Sequence, residues 1–309
     1  MAGLDWLGPR EKTRRAAWLY LSAWGASTAY LAARGADWIF PVAALVVFGL
    51  ALSLLVVWLT RGTQALSVPV IRPAHETIGL LLYVLIFYAF IVLGWLFSAI
   101  NTAFDPGRAH ELVLLGVKLL VHVALPTLLL VTLGGEVRGM WDMGVRRPGV
   151  LATFLVFGAI IFGLLALISP SLRQIAATGL TPARALPWIL LAWSWMSIEA
   201  GLCEEYLFRA CLQSRLTAWL ASPAMGIALT SIIFALVHAP GLYLRGTPET
   251  DGWSTDPLQV AAFTIATLSP LSLLLGVMWL RTRSLLLIVL LHGAIDALPH
   301  TAEIIGLWR

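Results

Sequence analysis

The sequence predicts an all-α, polytopic membrane protein, and three observations carry this prediction. Of the 309 residues, 60% are hydrophobic and only 12% are charged, whereas about 25% of the residues in soluble domains are charged. The mean hydropathy is +0.88. The apolar residues form long continuous runs, without the alternating ten-residue segments of a transmembrane barrel. Because hydrocarbon satisfies no backbone hydrogen bond, these runs must be helices.

About nine runs are long enough to span a membrane, which takes about 20 apolar residues. The first run is the least apolar, because glycine, serine and threonine interrupt it. The sixth exceeds the length of one crossing, so we expect it to tilt, kink or project from the bilayer. In chain order the runs are Ala16–Ala33, Ile39–Thr60, Thr77–Ile100, Glu111–Leu133, Val150–Ile168, Pro187–Trp219, Ala224–Ala239, Leu258–Leu280 and Ser284–Pro299.

The basic residues predict the orientation and the setting of the chain. With nine spans and a cytoplasmic N-terminus, twelve of the 20 Lys and Arg residues fall in cytoplasmic segments and six on the other side, as the positive-inside rule favours. The first run reads as a retained helix, because no small-x-small cleavage site follows it. Basic loops facing anionic lipid explain the net charge of +4, so no nucleic-acid partner is indicated. The bias toward Ala, Leu and Arg favours a bacterial inner membrane.

The stretch EAGLCEEYLFRACL, Glu199 to Leu212, places three carboxylates and an arginine inside the sixth run. Ionised side chains at bilayer depth cost at least a few kcal/mol, so they are usually paired or functional. Glu205 and Arg209 have i, i+4 spacing and are predicted to pair on one helix face. Glu204 is then left without a local cation, which makes it a candidate catalytic group.

Two later runs supply candidate partners for Glu204. Phe234 and His238 have i, i+4 spacing in one run, and His292 and Asp296 have the same spacing in another. A carboxylate, two imidazoles and a second polar oxygen in a dry cavity can activate water and stabilise an oxyanion. The same groups can also hold a metal ion.

These three motifs, E-E-x-x-x-R, F-x-x-x-H and H-x-x-x-D, resemble in type and order those of the CPBP intramembrane proteases. This family is also called the Abi or CAAX prenyl protease 2 (Rce1-like) family, and the resemblance covers roughly residues 187–300. Family members often carry Asn where this chain has Asp296, and an ionised Asp would repel an oxyanion, so the oxyanion donor stays open. The resemblance implies water activation by Glu204 and His238, oxyanion stabilisation by His292 and Asp296, and support from Glu205, Arg209 and Phe234.

The predicted organisation has three parts: N-terminal transmembrane helices of unassigned role at 1–186, a four-helix catalytic core at 187–300, and a tail at 301–309. The cofactor prediction is either none or zinc. If zinc is present, Glu204, His238 and His292 are the candidate ligands, with an open fourth position. The metal-free alternative is favoured, because Glu205 would have to leave Arg209 to serve as the base.

The predicted function is an intramembrane endopeptidase that hydrolyses a membrane-associated protein or peptide, and a bacterial origin disfavours prenylated substrates. A transporter or proton pathway could use the same buried groups, and a catalytically idle relative could act as an immunity or scaffold factor. The zinc-protease signature H-E-x-x-H is absent from the sequence. Lys118 and His122 are candidates to extend the site, and the loop Ala239–Pro257 is predicted to border its mouth.

Overall fold

The computed structural model describes residues 4–63 and 68–309, and in these residues the chain forms helices and turns without a strand. Eight of the helices, all except α1 and α6, are long and apolar enough to cross a membrane in the described part of the chain. The prediction of an all-α polytopic bundle is therefore confirmed, and the protein is an integral membrane protein. The helices are α1 Arg10–Ala33, α2 Ile39–Leu59, α3 Pro73–Ala103, α4 Arg108–Thr132, α5 Val150–Ile168, α6 Ser171–Ala177, α7 Pro182–Leu220, α8 Pro223–Arg245, α9 Pro257–Thr282 and α10 Leu285–Trp308.

Helix α1 corresponds to the first predicted span, although it is too polar to count among those eight. Its side chains follow α9 along the height of the bundle. Lys12 donates a 2.8 Å hydrogen bond to the last carbonyl of α7, and the Tyr20 hydroxyl lies 2.9 Å from the Ser269 hydroxyl in the middle of α9. Tyr30 donates a 2.7 Å bond to Asp256, just before α9 begins. Helix α1 therefore extends from one end of the bundle to the other, antiparallel to α9.

The connections between helices gather at two ends of the bundle. We call the end where α1 begins and α9 finishes the basic end, and the other the opposite end. At the basic end, Arg147 donates a 2.6 Å hydrogen bond to the carbonyl of Thr282, and Arg281 donates one of the same length to the carbonyl of Thr60. At the opposite end, Arg34 pairs with Asp256 at 3.1 Å. This segregation is the one that nine alternating crossings produce.

Two helices continue past the points where we predicted them to end. Helix α8 runs through Pro240 to Arg245, and α10 runs through Pro299 to Trp308, so residues 301–308 extend a helix instead of forming a tail. A proline removes one backbone hydrogen bond, but neighbouring helices and local adjustments often satisfy the freed group in membrane proteins. A proline therefore does not end either of these two helices.

The N-terminal and C-terminal helices share one hydrophobic core. Val84 of α3 and Phe157 of α5 belong to the same buried cluster as Leu212 of α7 and Trp279 of α9. The predicted boundary at residue 186 falls inside α7. The helices before it therefore pack directly against the motif-bearing ones.

A buried ion pair fixes α3 to the end of α7 at the basic end. The Arg215 Nε atom lies 3.1 Å from a carboxylate oxygen of Glu76, and neither side chain is exposed. The other oxygen of Glu76 accepts hydrogen bonds from the backbone N–H groups of Ile71 and Arg72. Arg215 also donates to the carbonyl of Glu136 at 2.6 Å. Every charge in this cluster thus has partners.

Glycines let α7 and α10 cross closely enough to bring their motifs together. A Cβ atom on Gly201 would contact the carbonyl oxygen of Val289, and one on Gly293 would lie 2.6 Å from the Cα atom of Ser197. Small residues permit such close approach of backbones in membrane helix bundles. The crossing therefore depends on the absence of a side chain at these two positions.

We expect Gly201→Ala or Gly293→Ala to destabilise the protein by about 1–3 kcal/mol, because the added methyl group has no room. Thermal unfolding in detergent measures this loss. Gly158→Ala in α5 is the matched control, since no atom lies within 4 Å of its Cβ position. Equal melting temperatures for all three variants would show that the α7–α10 crossing is not tight.

Candidate active site

Glu204 and Glu205 occupy one turn of α7 and point in different directions. The turn Cys203–Glu205 lies between two stretches with the wider hydrogen-bonding pattern of a π-helix, Ser197–Leu202 and Tyr206–Gln213. Wide turns of this kind are frequent at functional sites. The Glu205 side chain has no exposed surface, whereas that of Glu204 is 17% exposed. Glu204 is therefore the carboxylate that faces the cavity.

Histidines from two other helices face Glu204. One carboxylate oxygen of Glu204 lies 3.9 Å from Nε2 of His238 on α8, and the other lies 3.9 Å from Nε2 of His292 on α10. Two hydrogen bonds of about 2.8 Å to a shared water can bridge groups this far apart. The structure thus places each of the two histidines at a distance from Glu204 that one water molecule can bridge.

The backbone fixes the direction of the His238 ring. Its Nδ1 atom lies 2.6 Å from the carbonyl oxygen of Phe234, one turn earlier on α8. A carbonyl only accepts, so Nδ1 carries the proton and donates it. In the neutral ring the Nε2 atom then presents a lone pair toward Glu204.

His292 is held through Glu205. Its Nδ1 atom lies 2.7 Å from a carboxylate oxygen of Glu205, and its Nε2 atom faces both Glu204 and Asp296. When the Glu205 carboxylate is ionised it only accepts, so Nδ1 is the donor. Nε2 can then donate a hydrogen bond only when the ring is doubly protonated.

The counter-charge for Glu205 is Arg209, as the i, i+4 spacing indicated. Arg209 Nε lies 3.2 Å from Glu205, and both side chains are fully buried. The guanidinium also donates to the Ser272 hydroxyl at 3.1 Å and lies 4.6 Å from the ring centroid of Phe234. The predicted supporting residues Glu205, Arg209 and Phe234 therefore lie in contact behind the two histidines.

Asp296 lies at the opening of the cavity. Its carboxylate is 3.8 Å from Nε2 of His292, and its side chain is 28% exposed, compared with 8% for His292. His238 is 29% exposed, whereas the supporting Arg209 is fully buried. Helix α10 runs from the basic end toward the opposite end, and Asp296 is one turn further along it than His292. Along α10 the side chains of the site are therefore more exposed toward the opposite end.

The candidate extensions of the site have partners of their own. Lys118 Nζ lies 2.6 Å from Glu199, which also accepts a 2.5 Å hydrogen bond from the Trp195 indole. His122 lies 2.8 Å from the Tyr88 hydroxyl. Through these contacts, Glu199, Lys118 and His122 link α3, α4 and α7 beside the cavity.

The segment Ala239–Pro257 is only partly a loop. Its first seven residues complete α8, and the Arg245 guanidinium lies 5.4 Å from the ring centroid of Phe97. Asp256 caps α9 and bonds to Tyr30 of α1 and to Arg34, which directly follows α1. Asp256 thus ties the segment to α1. That the segment borders the mouth of the site stays a prediction.

The donor types at the site suit zinc, but their spacing does not. The carboxylate–imidazole separations of 3.8–3.9 Å exceed the distance of about 3.3 Å between neighbouring ligands of a tetrahedral zinc site. Among the described residues, no group of three or more His, Cys, Asp or Glu side chains is arranged to hold a metal ion. Glu205, bound to Arg209 and His292, is not free to act as a base. This geometry does not fit a resident zinc.

Sequence comparison gives a family for the helices that build the site. Residues 186–298 match the model of the family described as Rce1-like, type II CAAX prenyl endopeptidase Rce1-like. The matched segment runs from the second turn of α7 into α10 and contains all three motifs. The resemblance that the motifs indicated is therefore confirmed. Neither the comparison with curated proteins nor the one with solved structures gave a match.

Proposed function

Because residues 186–298 form an Rce1-like domain, we propose that this membrane protein is an endopeptidase that hydrolyses a peptide bond of a membrane-associated protein or peptide. The observation that carries the proposal is the position of the Glu204 carboxylate, 3.9 Å from Nε2 of both His238 and His292. A cavity with a carboxylate and two imidazoles provides the general base and the electrostatic contact that amide hydrolysis requires.

Glu204 and His238 activate the water. The water donates one hydrogen bond to the Glu204 carboxylate and one to the lone pair on Nε2 of His238, which leaves an oxygen lone pair directed into the cavity. As the water oxygen bonds to the substrate carbonyl carbon, its proton passes to Glu204. Glu204 then protonates the leaving amine when the C–N bond breaks, so the carboxylate is regenerated.

His292 stabilises the tetrahedral intermediate. With Glu205 accepting from Nδ1, a doubly protonated ring donates from Nε2 to the oxyanion that forms on the carbonyl oxygen. The Glu205–Arg209 pair balances the charge behind the ring and holds its orientation. We assign the oxyanion contact to His292 and an orienting role to Asp296, because an ionised carboxylate would repel the oxyanion.

Because Asp296 only orients His292 in this assignment, an isosteric change at Asp296 should have a small effect on the cleavage rate. We expect Asp296→Asn to keep cleavage within about tenfold of wild type, because an amide oxygen can replace the carboxylate beside Nε2 of His292 and an amide N–H can donate to the oxyanion. Asp296→Ala is expected to be slower than Asp296→Asn. Cleavage rates of the purified variants on one membrane substrate give the comparison. A loss of 10²-fold or more in Asp296→Asn would make Asp296 a proton carrier instead.

The mechanism runs without a metal ion. We expect prolonged dialysis against a chelator to leave the cleavage rate unchanged, and elemental analysis of the active protein to give far less than one zinc per chain. Added zinc should not raise the rate. Loss of activity on chelation, with recovery on stoichiometric zinc, would instead make Glu204, His238 and His292 the ligands of a catalytic zinc.

The basic end is proposed to face the cytoplasm of a bacterial inner membrane, because it carries the larger share of the Lys and Arg residues. The cavity then opens toward the exterior face, so substrates enter from that side or laterally. Accessibility labelling of single cysteines introduced at exposed positions of the two ends tests this orientation.

A transporter or proton pathway that uses the same buried charges is the second candidate function. The features against it are the fully buried side chains that lie around Glu205 and Arg209 on the side of the basic end, among them Tyr206, Leu212 and Trp279. Proton flux into proteoliposomes separates the two functions. A catalytically idle relative would be expected to lose site residues, and this chain retains Glu204, His238 and His292.

The test of the proposal compares membranes from cells that produce wild-type protein or Glu204→Gln. We expect proteins that accumulate uncut with Glu204→Gln to show new termini with wild type, and to be cut by the purified wild-type protein. His238→Ala and His292→Ala should behave like Glu204→Gln, with unchanged amounts of folded protein. Identical sets of termini in all four membranes would refute the protease proposal.

A further inference from the structure

An apolar groove lies between α1 and α2 on the outer side of the bundle, away from the candidate active site. Its volume is about 350 Å³, and α8 and α9 form its floor. Its three hydroxyl groups are already engaged. Thr13 and Ser53 donate to carbonyls of their own helices at 3.2 and 3.1 Å, and Tyr20 bonds to Ser269. The groove therefore offers a ligand almost only hydrocarbon contacts.

The groove is about as deep as one leaflet of a bilayer. On α2 its lining extends from Leu45 to Val57, which at 1.5 Å per residue is about 18 Å. Half of a typical hydrocarbon core is about 15 Å. Val57 and Trp6 lie near the basic end, and Leu45 lies near the middle of the bundle. The groove thus occupies the half of the membrane next to the basic end.

Arginines from α1, from α9 and from the turn that follows α2 lie at the interfacial end of this groove. Arg61 and Arg281 each follow by four residues a lining residue, Val57 on α2 and Val277 on α9. The Arg281 guanidinium lies 5.6 Å from the ring centroid of Trp6, which is itself part of the lining.

Helix α1 contributes Arg10 and Arg14, one helical turn or less from the lining residues Thr13 and Ala17 on the same face. Both arginines are exposed, and neither pairs with an acidic side chain in the described part of the chain. Glu11, the acidic residue of this turn, pairs with Arg15. The entrance of the groove therefore carries a net positive charge.

We propose that this groove binds one anionic phospholipid, with an acyl chain between α1 and α2 and the phosphate held by the arginines at the entrance. Guanidinium groups bind phosphate through two parallel hydrogen bonds, and the apolar lining takes the chain. A zwitterionic lipid offers the same chain but no net negative charge. Selectivity for the anionic lipid therefore comes from the entrance, and the capacity to bind comes from the groove.

The test uses the full-length protein in detergent, titrated with phosphatidylglycerol or phosphatidylcholine and followed by native mass spectrometry. We expect one phosphatidylglycerol to bind at least tenfold more tightly than phosphatidylcholine. Arg10→Gln/Arg14→Gln/Arg61→Gln should remove this preference. Ala17→Phe, at an exposed lining position, should weaken binding of both lipids by filling the groove.

Two matched controls make the result specific. Ala29→Phe adds the same ring at an exposed position of α1 outside the groove, and Arg173→Gln removes an exposed charge at the opposite end. Both should bind like wild type. Equal affinity for the two lipids in wild type would overturn the proposal. Unchanged phosphatidylglycerol binding in Ala17→Phe, with the variant folded by circular dichroism, would overturn it too, since charge alone would then explain the binding.

Discussion

Glu204→Gln is expected to lower the rate of peptide cleavage roughly 10²–10⁴-fold, the contribution of a positioned general base. The amide keeps the size of the side chain but cannot take a proton from water. Folding should be unaffected, because Glu204 is the partly exposed member of the pair of carboxylates. Cleavage of one substrate by the purified proteins, with melting temperature measured in parallel, gives both quantities.

Glu303→Gln on α10 is the control for this change. Glu303 is exposed and lies beyond the three motifs, so its loss of charge should leave the cleavage rate as in wild type. Full activity in Glu204→Gln would remove the proposed mechanism, whatever the effect of the histidine variants.

Arg209→Met is expected to lower the free energy of unfolding by about 3–5 kcal/mol, because it removes the guanidinium counter-charge of the fully buried Glu205 carboxylate. It should also abolish cleavage, since Glu205 orients His292. Arg215→Met breaks a second fully buried ion pair, with Glu76, and should cost a similar amount of stability. Its remaining folded fraction should cleave substrate at the wild-type rate, because that pair lies at the basic end. Unfolding in detergent and active-site titration separate the two effects.

A double variant separates a specific loss of cleavage from a general loss of folding. Glu205→Leu/Arg209→Met replaces the pair with apolar side chains and should recover most of the lost stability. It should stay inactive, because His292 then lacks its acceptor at Nδ1. Recovery of both stability and activity in the double variant would show that the pair only holds the fold.

Local spacing in the sequence predicts which residues of the candidate site share one face of a helix. The spacings of Glu205 with Arg209 and of Phe234 with His238 lie within single helices, where i, i+4 neighbours must share a face. That the three helices converge was a prediction from the resemblance, and the distances between Glu204 and the histidines come from the fold. Ser272 and Tyr88 carry no sequence signal, because their partners lie on other helices.

The ends of the helices are a second feature that local sequence patterns do not predict correctly. The predicted runs end at Ala239 and Pro299, whereas α8 continues to Arg245 and α10 to Trp308. The polarity of α1 made its crossing marginal by composition, and only contacts such as Tyr20 with Ser269 place it along the full height. Tertiary packing decides these cases, because it supplies the partners that an isolated helix lacks.

The central claim is that Glu204 activates a water molecule that attacks the peptide bond directly. A single turnover of excess wild-type protein in ¹⁸O-labelled water, on a peptide from a protein that accumulates uncut with Glu204→Gln, tests this claim. We expect one solvent oxygen in the new carboxylate after the first turnover. An unlabelled carboxylate, with the label in Glu204 instead, would contradict direct attack by water, and no new carboxylate would contradict hydrolysis itself.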